Sequence, residues 1–438
     1  MMARFILVLL LWSTLPVMAQ PAPPAPPERE AVWLFGEGQK LHAEGRVLRA
    51  VDLYRNALNK DPGRLEYRPY LGLALDQAGL PEEALEQYDL YLALEPQDAR
   101  IRLNRAVALA HAGKLEEAWK ESERLTTLLP AQAALFNLRG VILLGQGDPQ
   151  RALAELTTAL SLEDAPEIRV NLAAAHLARG ELEPARHHLE SVLRSPSDPG
   201  QAQLARNNLG VVLTMQAELE QAEQSFDEAS GEGEDLLPVA IYNLVSVLAR
   251  QGKTQEALLA AAELVDARPD YTDARLLYAR LLYRQDRFEA AQTELEQVLE
   301  QQPDSAVAQE TMGLVLLATG RAEQARPYLE KAVVASPQSA WAHHNLALAL
   351  GRLGDLSEAL REEKEALALD DDNPAIWYHL GLLHDLNAEP RDAIAAYRRY
   401  LELQTSESTA AIVKEHIQEL EAYIAGQGRR TAPQGPVR

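Results

Sequence analysis

The chain of 438 residues has no cysteine, which excludes disulfides, thiolate zinc sites and a lipid-bearing N-terminal thiol. Aromatic residues are scarce, at 5%, and alanine and leucine take their place, as suits closely packed helices. Bases are in deficit. With 42 Lys and Arg against 65 Asp and Glu, the formal charge of −23 excludes a phosphate-binding platform for nucleic acid. It also argues against an anionic membrane surface as the main partner, and suits acidic outer faces that keep a long molecule in solution.

Catalytic signatures are missing as well. There is no phosphate-cradling glycine loop, no nucleophile elbow and no HExxH motif. The pairs His187-His188 and His343-His344 are adjacent, so on a helix they point about 100° apart, unlike the i, i+4 pair of a helical zinc site. The run Asp370-Asp371-Asp372-Asn373 has Ala375 where a calcium loop needs glycine, and reads as a helix-capping turn. No enzyme, no metal and no cofactor is expected. The N-terminal apolar run, Phe5–Leu15, falls short of the roughly 20 residues of a transmembrane helix.

What is present is a period. Alanine returns at Ala50, Ala84, Ala118, Ala152, Ala185, Ala222, Ala257, Ala291, Ala325, Ala359 and Ala393, at intervals of 33 to 37 residues and mostly of 34. Such a recurrence means a stacked array of small units in place of one core. Twelve residues before the alanine stands a small residue, as in Gly38, Gly72, Ala106, Gly140, Gly210, Gly313 and Gly381, with Val245 the departure. Five residues before it stands glycine in eight units, with Ala217, Asp286 and Ala388 as departures. Twelve residues after it comes proline in six: Pro62, Pro96, Pro130, Pro269, Pro303 and Pro337.

Each mark has a physical reading. The small residue and the alanine lie on two helices whose backbones approach closely. The glycine supplies the left-handed turn that ends the first helix, and the proline closes the second. Apolar residues between them fall at helical spacing, as in Leu71 and Leu75, then Leu85, Tyr88 and Leu92. The unit is a helix, a tight turn and a second helix.

This pattern resembles the tetratricopeptide repeat. Gly38, Gly45, Ala50, Tyr54, Ala57 and Pro62 carry it in the first unit, and Gly313, Gly320, Ala325, Leu329, Ala332 and Pro337 in the ninth. The resemblance covers residues 31–407 and implies an all-α, right-handed superhelical solenoid of about eleven helix-turn-helix repeats. Its first helices would line a concave face that takes protein segments. The units are placed at 31–64, 65–98, 99–132, 133–165, 166–199, 203–236, 238–271, 272–305, 306–339, 340–373 and 374–407. Residues 408–425 follow as a capping helix with an apolar stripe of Val413, Ile417, Leu420 and Ile424, and 426–438 as a disordered tail. Two turn-rich stretches, at 195–202 and 230–237, read as loops, and leave open a hinge or an unbroken stack.

Asn104, Asn171, Asn208, Asn243 and Asn345 stand two residues before the small residue of the first helix, with Asn137 and Asn207 one residue earlier. The resemblance implies that asparagine there projects into the groove. An amide both donates and accepts, so a row of them would hold the backbone of an extended peptide whatever its sequence. The alternative is that these amides bond within the array. Leu103, Val107, Val141, Val211, Leu314 and Leu348 add apolar groove positions suited to an amphipathic segment.

The N-terminus completes the sequence reading. Met1–Arg4, the apolar run and Val17-Met18-Ala19 resemble a cleavable bacterial export signal over 1–19, followed by a Pro/Ala-rich extended spacer over 20–30. The expectation is a periplasmic or secreted scaffold that binds a protein or peptide of an envelope assembly or secretion complex, without nucleic acid and without membrane insertion after cleavage. An uncleaved signal anchoring the chain to the inner membrane is the alternative location, and a chaperone-like holder of extended clients is the alternative function.

Overall fold

The computed structural model describes residues 26–194, 199–231, 236–403 and 407–426. Among these residues there are 23 α-helices, one short 3-10 turn and no strand. The chain divides into two compact units, Met1–Gln251 and Gly252–Arg438, each taken by itself below.

The first unit holds α1 (Pro26–Ala43), α2 (Val47–Lys60), α3 (Arg68–Gln77), α4 (Pro81–Leu92), α5 (Ala99–His111), α6 (Leu115–Leu125) and α7 (Ala133–Gly145). It continues with α8 (Pro149–Leu162), α9 (Pro166–Ala178), α10 (Leu182–Arg194), α11 (Pro199–Met215), α12 (Leu219–Ser230) and α13 (Pro238–Arg250). The second unit holds α14 (Thr254–Ala267), α15 (Thr272–Arg284), α16 (Phe288–Gln301), α17 (Ala306–Ala318), α18 (Ala322–Ala335) and α19 (Ala340–Leu353). It ends with α20 (Leu356–Leu369), α21 (Pro374–Leu386), α22 (Pro390–Leu403) and α23 (Glu407–Ile424). Odd-numbered helices up to α21 are the first helices of repeats and even-numbered ones the second. Within each unit every helix packs on its sequence neighbours, and first helices of adjacent repeats also touch.

The periodic marks have a common mechanical cause. All eleven alanines are fully buried. Four residues beyond the alanine, in eight of the eleven repeats, stands a large apolar side chain that fills the helix–helix contact, and the small residue of the first helix makes room for it. A Cβ built on Gly72 would lie 2.7 Å from the Tyr88 ring, and one on Gly210 2.6 Å from Phe226. Gly38 faces Tyr54 and Gly381 faces Tyr397 in the same way.

The turn between the helices is equally uniform. Gly79 and Gly113 sit at φ +78° and +73°, where an L-residue is strained, and the following amide bonds back five residues, Leu80 to the Leu75 carbonyl and Lys114 to that of Leu109, each at 2.9 Å. Where the sequence departs from glycine the turn does not. Ala217, Asp286 and Ala388 hold φ of 63°, 55° and 56°, and Glu218, Arg287 and Glu389 close the same bond at 2.9, 3.0 and 2.9 Å. Pro62, Pro269, Pro303 and Pro337 lie two residues past a helix end.

Three expectations need revision. The extended spacer over 20–30 fails at its end, because α1 starts at Pro26. Proline is tolerated in a first helical turn, where its missing N–H would lack a partner anyway, and Glu28 there complements the helix dipole. The loop expected over 195–202 is helical from Pro199 onward. The extra residues before the sixth repeat lengthen α11 to 17 residues, against 13 in α9 and α13, and Ala202 is buried. Of the capping stripe, Val413, Ile417 and Leu420 pack against Ala393, Ile394, Tyr397 and Tyr400 of α22, whereas Ile424 is exposed at the helix end. The export signal over 1–19, residues 195–198 and 232–235, and the tail from 427 lie outside the described residues.

Candidate functional site

The first helices carry a row of polar groups that join one repeat to the next. In the first unit His42 Nε2 meets Gln77 Oε1 at 2.6 Å, across α1 and α3, and His111 Nδ1 meets Asp76 Oδ1 at 2.8 Å, across α3 and α5. Asn171 Nδ2 donates to Asn137 Oδ1 at 2.9 Å, across α7 and α9. Asn243 Nδ2 donates to Asn207 Oδ1 at 3.0 Å, across α11 and α13, and Asn207 Nδ2 donates to its neighbour Asn208 at 3.0 Å. In the second unit Asn345 Nδ2 donates to Glu310 Oε1 at 2.7 Å, and Arg352 donates to the Leu317 carbonyl at 2.7 Å, both across α17 and α19.

Within the first unit the structure therefore brings Asn207, Asn208 and Asn243 together, pairs Asn171 with Asn137 and leaves Asn104 outside both groups; in the second unit Asn345 pairs with Glu310. All six sequence-predicted site residues are buried. The Asn104 amide nitrogen is buried without a hydrogen-bond partner. Of the apolar groove positions, Leu103, Val107, Val141 and Val211 are buried, while Leu314 and Leu348 are half-buried and reach the surface.

Burial raises the Glu310 carboxyl above its ordinary range, opposed by the Asn345 hydrogen bond and the Arg280 charge. Arg275 pairs with Glu294 at 2.5 Å, and Arg102 with Glu121 at 2.5 Å. Both link the first helix of a repeat to its second, and His343 with Glu362 repeats that 19-residue spacing at 2.7 Å. Among the perturbed groups is His188 on α10, held down to about 4 by burial and by the neighbouring His176, Arg169 and His187, against the pull of Asp164. Its ring lies 5.6 Å from that of His176.

Sequence reasoning missed the charged members of the row. His42, Asp76, Gln77 and His111 do not share the asparagine position, and Glu310 replaces the asparagine of Asn137 and Asn207, three residues before Gly313. The signal that finds them is a polar pair 35 residues apart on two first helices. It also missed Glu363. In most repeats the residue four after the alanine is a large apolar one, such as Tyr54, Tyr88, Leu156, Leu189, Phe226, Leu295, Leu329 or Tyr397, and here a carboxylate takes the place.

Models of the tetratricopeptide repeat match residues 35–99, 71–133 and 344–408, residues 143–209 and 248–313, and residues 304–372. Together they span most of the chain, which belongs to the tetratricopeptide-repeat family. No curated protein matches it. Among solved structures the chain is similar to the APC/C hetero-tetramer Cut9-Hcn1, at 14% identity and a TM-score of 0.55 over 89% of this chain and 76% of that one. It also matches a tetratricopeptide repeat protein from Parabacteroides merdae ATCC 43184, at 16% identity and a TM-score of 0.46, over 58% of this chain and 98% of that one. MamA from Desulfovibrio magneticus RS-1, residues 41 to the end, matches 38% of the chain over 94% of its own length, at 24% identity and a TM-score of 0.36. These likenesses speak to the repeat fold alone.

Proposed function

We propose that the chain is a non-enzymatic protein-interaction scaffold of the bacterial cell envelope, which binds a partner segment along its first-helix face. The observation that carries this reading is that each unit is built of like helix pairs, α1–α12 giving six in the first unit and α15–α22 four in the second. What the protein offers a partner is repeated helix surface, held at a fixed step by polar ties between neighbouring first helices. Asn104, Asn171, Asn207, Asn208 and Asn243 are buried beneath that face in the first unit and Asn345 in the second, where most of them bond within the array and brace the face. Half-buried Leu314 and Leu348 would meet apolar side chains of an amphipathic segment. The envelope location rests on the export-signal pattern of residues 1–19.

The test is photo-crosslinking in cells from Leu314 and Leu348, with Val334 on the outer second helix α18, 81% exposed, as the comparison position. One dominant adduct from Leu314 or Leu348 that is missing from Val334 is the expected result. An adduct from Val334 alone would move the partner to the second helices and overturn the reading, and a smear of many clients would favour a holder of extended polypeptides. A pull-down from the cell envelope with Asn171→Ala, Asn208→Ala and Asn243→Ala combined asks the same of the first unit. Mass spectrometry of the exported chain should find an N-terminus at Gln20, and a full-length cytoplasmic chain would sink the envelope assignment.

A further inference from the structure

We propose that His344, Glu363 and His379 form a binding site for a zinc-class divalent metal ion. The three come from three successive helices, α19, α20 and α21, and each can offer one ligand atom within 4.8 Å of the others. This goes beyond the scaffold reading and does not rest on it.

The repeat pattern shows how unusual the cluster is. Glu363 occupies the position that holds a large apolar side chain in most repeats, and its own side chain is wholly buried. His379 stands where other first helices carry asparagine, two residues before Gly381, and His344 stands three residues before Ala347, where Asn137 and Asn207 stand in their repeats. A carboxylate at a core position is expensive unless something compensates its charge.

The protein's own groups compensate it in part. His344 Nδ1 lies 2.9 Å from Glu363 Oε1 in a hydrogen bond. On the other side Glu363 Oε2 and His379 Nδ1 approach to 3.1 Å without hydrogen-bond geometry, and neither atom has another hydrogen-bond partner. The two imidazole rings stand edge to face, with centroids 5.4 Å apart at 87°. One residue earlier on both α19 and α20 the contrast is plain. His343 has Glu362 on Nδ1 at 2.7 Å and the Pro337 carbonyl on Nε2 at 3.1 Å, so both ring nitrogens are engaged.

Two imidazole nitrogens and one carboxylate oxygen suit zinc and the neighbouring late first-row metals. Magnesium and calcium want oxygen-rich shells of about six or more. Ligands at about 2.1 Å in a tetrahedron lie about 3.4 Å from one another. His344 Nδ1 lies 2.9 Å from Glu363 Oε1 and His379 Nδ1 3.1 Å from Oε2, so each imidazole need retreat only a few tenths of an ångström from its nearer oxygen, and a turn of the carboxylate would present one oxygen to both rings. A water completes such a set. Gly351 on α19 makes room for Leu383, which a Cβ there would approach to 3.0 Å, and lies beside the His379 ring, with Nε2 at 3.7 Å from that Cβ position. The metal would tie the tenth repeat to the first helix of the eleventh.

The experiment uses the full chain, stripped with a chelator and titrated with Zn²⁺ alone and with Co²⁺ alone. One high-affinity equivalent, tetrahedral d–d absorption with Co²⁺ and a raised thermal midpoint with Zn²⁺ are expected. His344→Ala and His379→Ala should each weaken binding by more than about 100-fold, beyond what loss of an outer-shell partner does. X-ray absorption on the zinc-loaded native chain needs no variant and should show two imidazoles in the first shell. No stoichiometric binding, or an affinity in both variants equal to that of the native chain, overturns the proposal. So does loss of binding with His384→Ala, which would place the ion at the partly exposed His384, Glu389 and Asp392.

Discussion

Ala217→Gly and Ala388→Gly should each stabilise the protein, and the size of the gain can be worked from the turn geometry. Both alanines sit at positive φ, 63° and 56°, in a turn that eight other repeats build with glycine. An L-residue there costs about 1–2 kcal/mol relative to its right-handed conformation. Glycine removes that strain but enlarges the unfolded ensemble by about 0.4–1 kcal/mol, so the net gain is about 0.5–1 kcal/mol per site. The reverse change isolates the backbone term. A Cβ on Gly113, at φ +73°, would meet nothing within 4 Å, so Gly113→Ala has no steric cost and its expected loss of about 1 kcal/mol is conformational. Urea unfolding followed by far-UV circular dichroism reads all three, with midpoints rising for the first two and falling for the third at an unchanged slope. Asp286→Gly should gain less, because a short polar side chain tolerates this conformation better. A midpoint that falls in Ala217→Gly and Ala388→Gly, or stays fixed in Gly113→Ala, refutes the argument.

Gly72→Ala should cost about 1–2 kcal/mol despite alanine's better helix propensity, because the new Cβ would lie 2.7 Å from the buried Tyr88 ring; thermal unfolding checks it. Asn207 and Asn243 should show a coupling of about 0.5–1.5 kcal/mol in a double-mutant cycle, and additive single changes would mean that the rung contributes nothing. Glu310→Gln should stabilise at pH 7. Burial raises this carboxyl, so the ionised form is disfavoured in the folded chain and the advantage of glutamine shrinks as pH falls through the raised value. His188→Gln should flatten the pH dependence of stability between about 6.5 and about 4. In that window the unfolded chain takes up a proton that folded His188, held down to about 4, refuses, so wild-type stability falls as pH falls. Urea midpoints at pH 7 and pH 5 measure both effects.

The repeat unit was legible because its marks are steric. Gly72 must be small because Tyr88 sits on it, and Gly113 is best as glycine because its φ is positive; either preference marks the residue wherever it recurs. The departures at Ala217, Asp286 and Ala388 were visible as departures, yet only the structure shows that the turn keeps its geometry at the cost of strain. Pairings between repeats were less legible. A buried asparagine satisfies the pattern whether it faces a ligand or its counterpart in the next repeat, and the Asn171–Asn137 bond depends on how two first helices stack. His344, Glu363 and His379 escaped a search for ligands on a single helix because they lie on three. The helical residues 26–30 were hidden by proline, which looks extended in sequence and is equally at home in a first helical turn.

The lengthened α11 carries a lesson about how such a chain changes size. Additional residues ahead of the sixth repeat were absorbed as about one further helical turn at its leading end, while Gly210 and Ala222 kept their buried places against Phe226 and its surroundings. Growth and shrinkage of the array are thus quantised at two scales, a whole repeat or a single turn at a helix start. An engineer wishing to graft a tag, a probe or a short epitope into this molecule has a place to do so at the leading end of α11, where the chain already carries an extra turn and Gly210 and Ala222 keep their register.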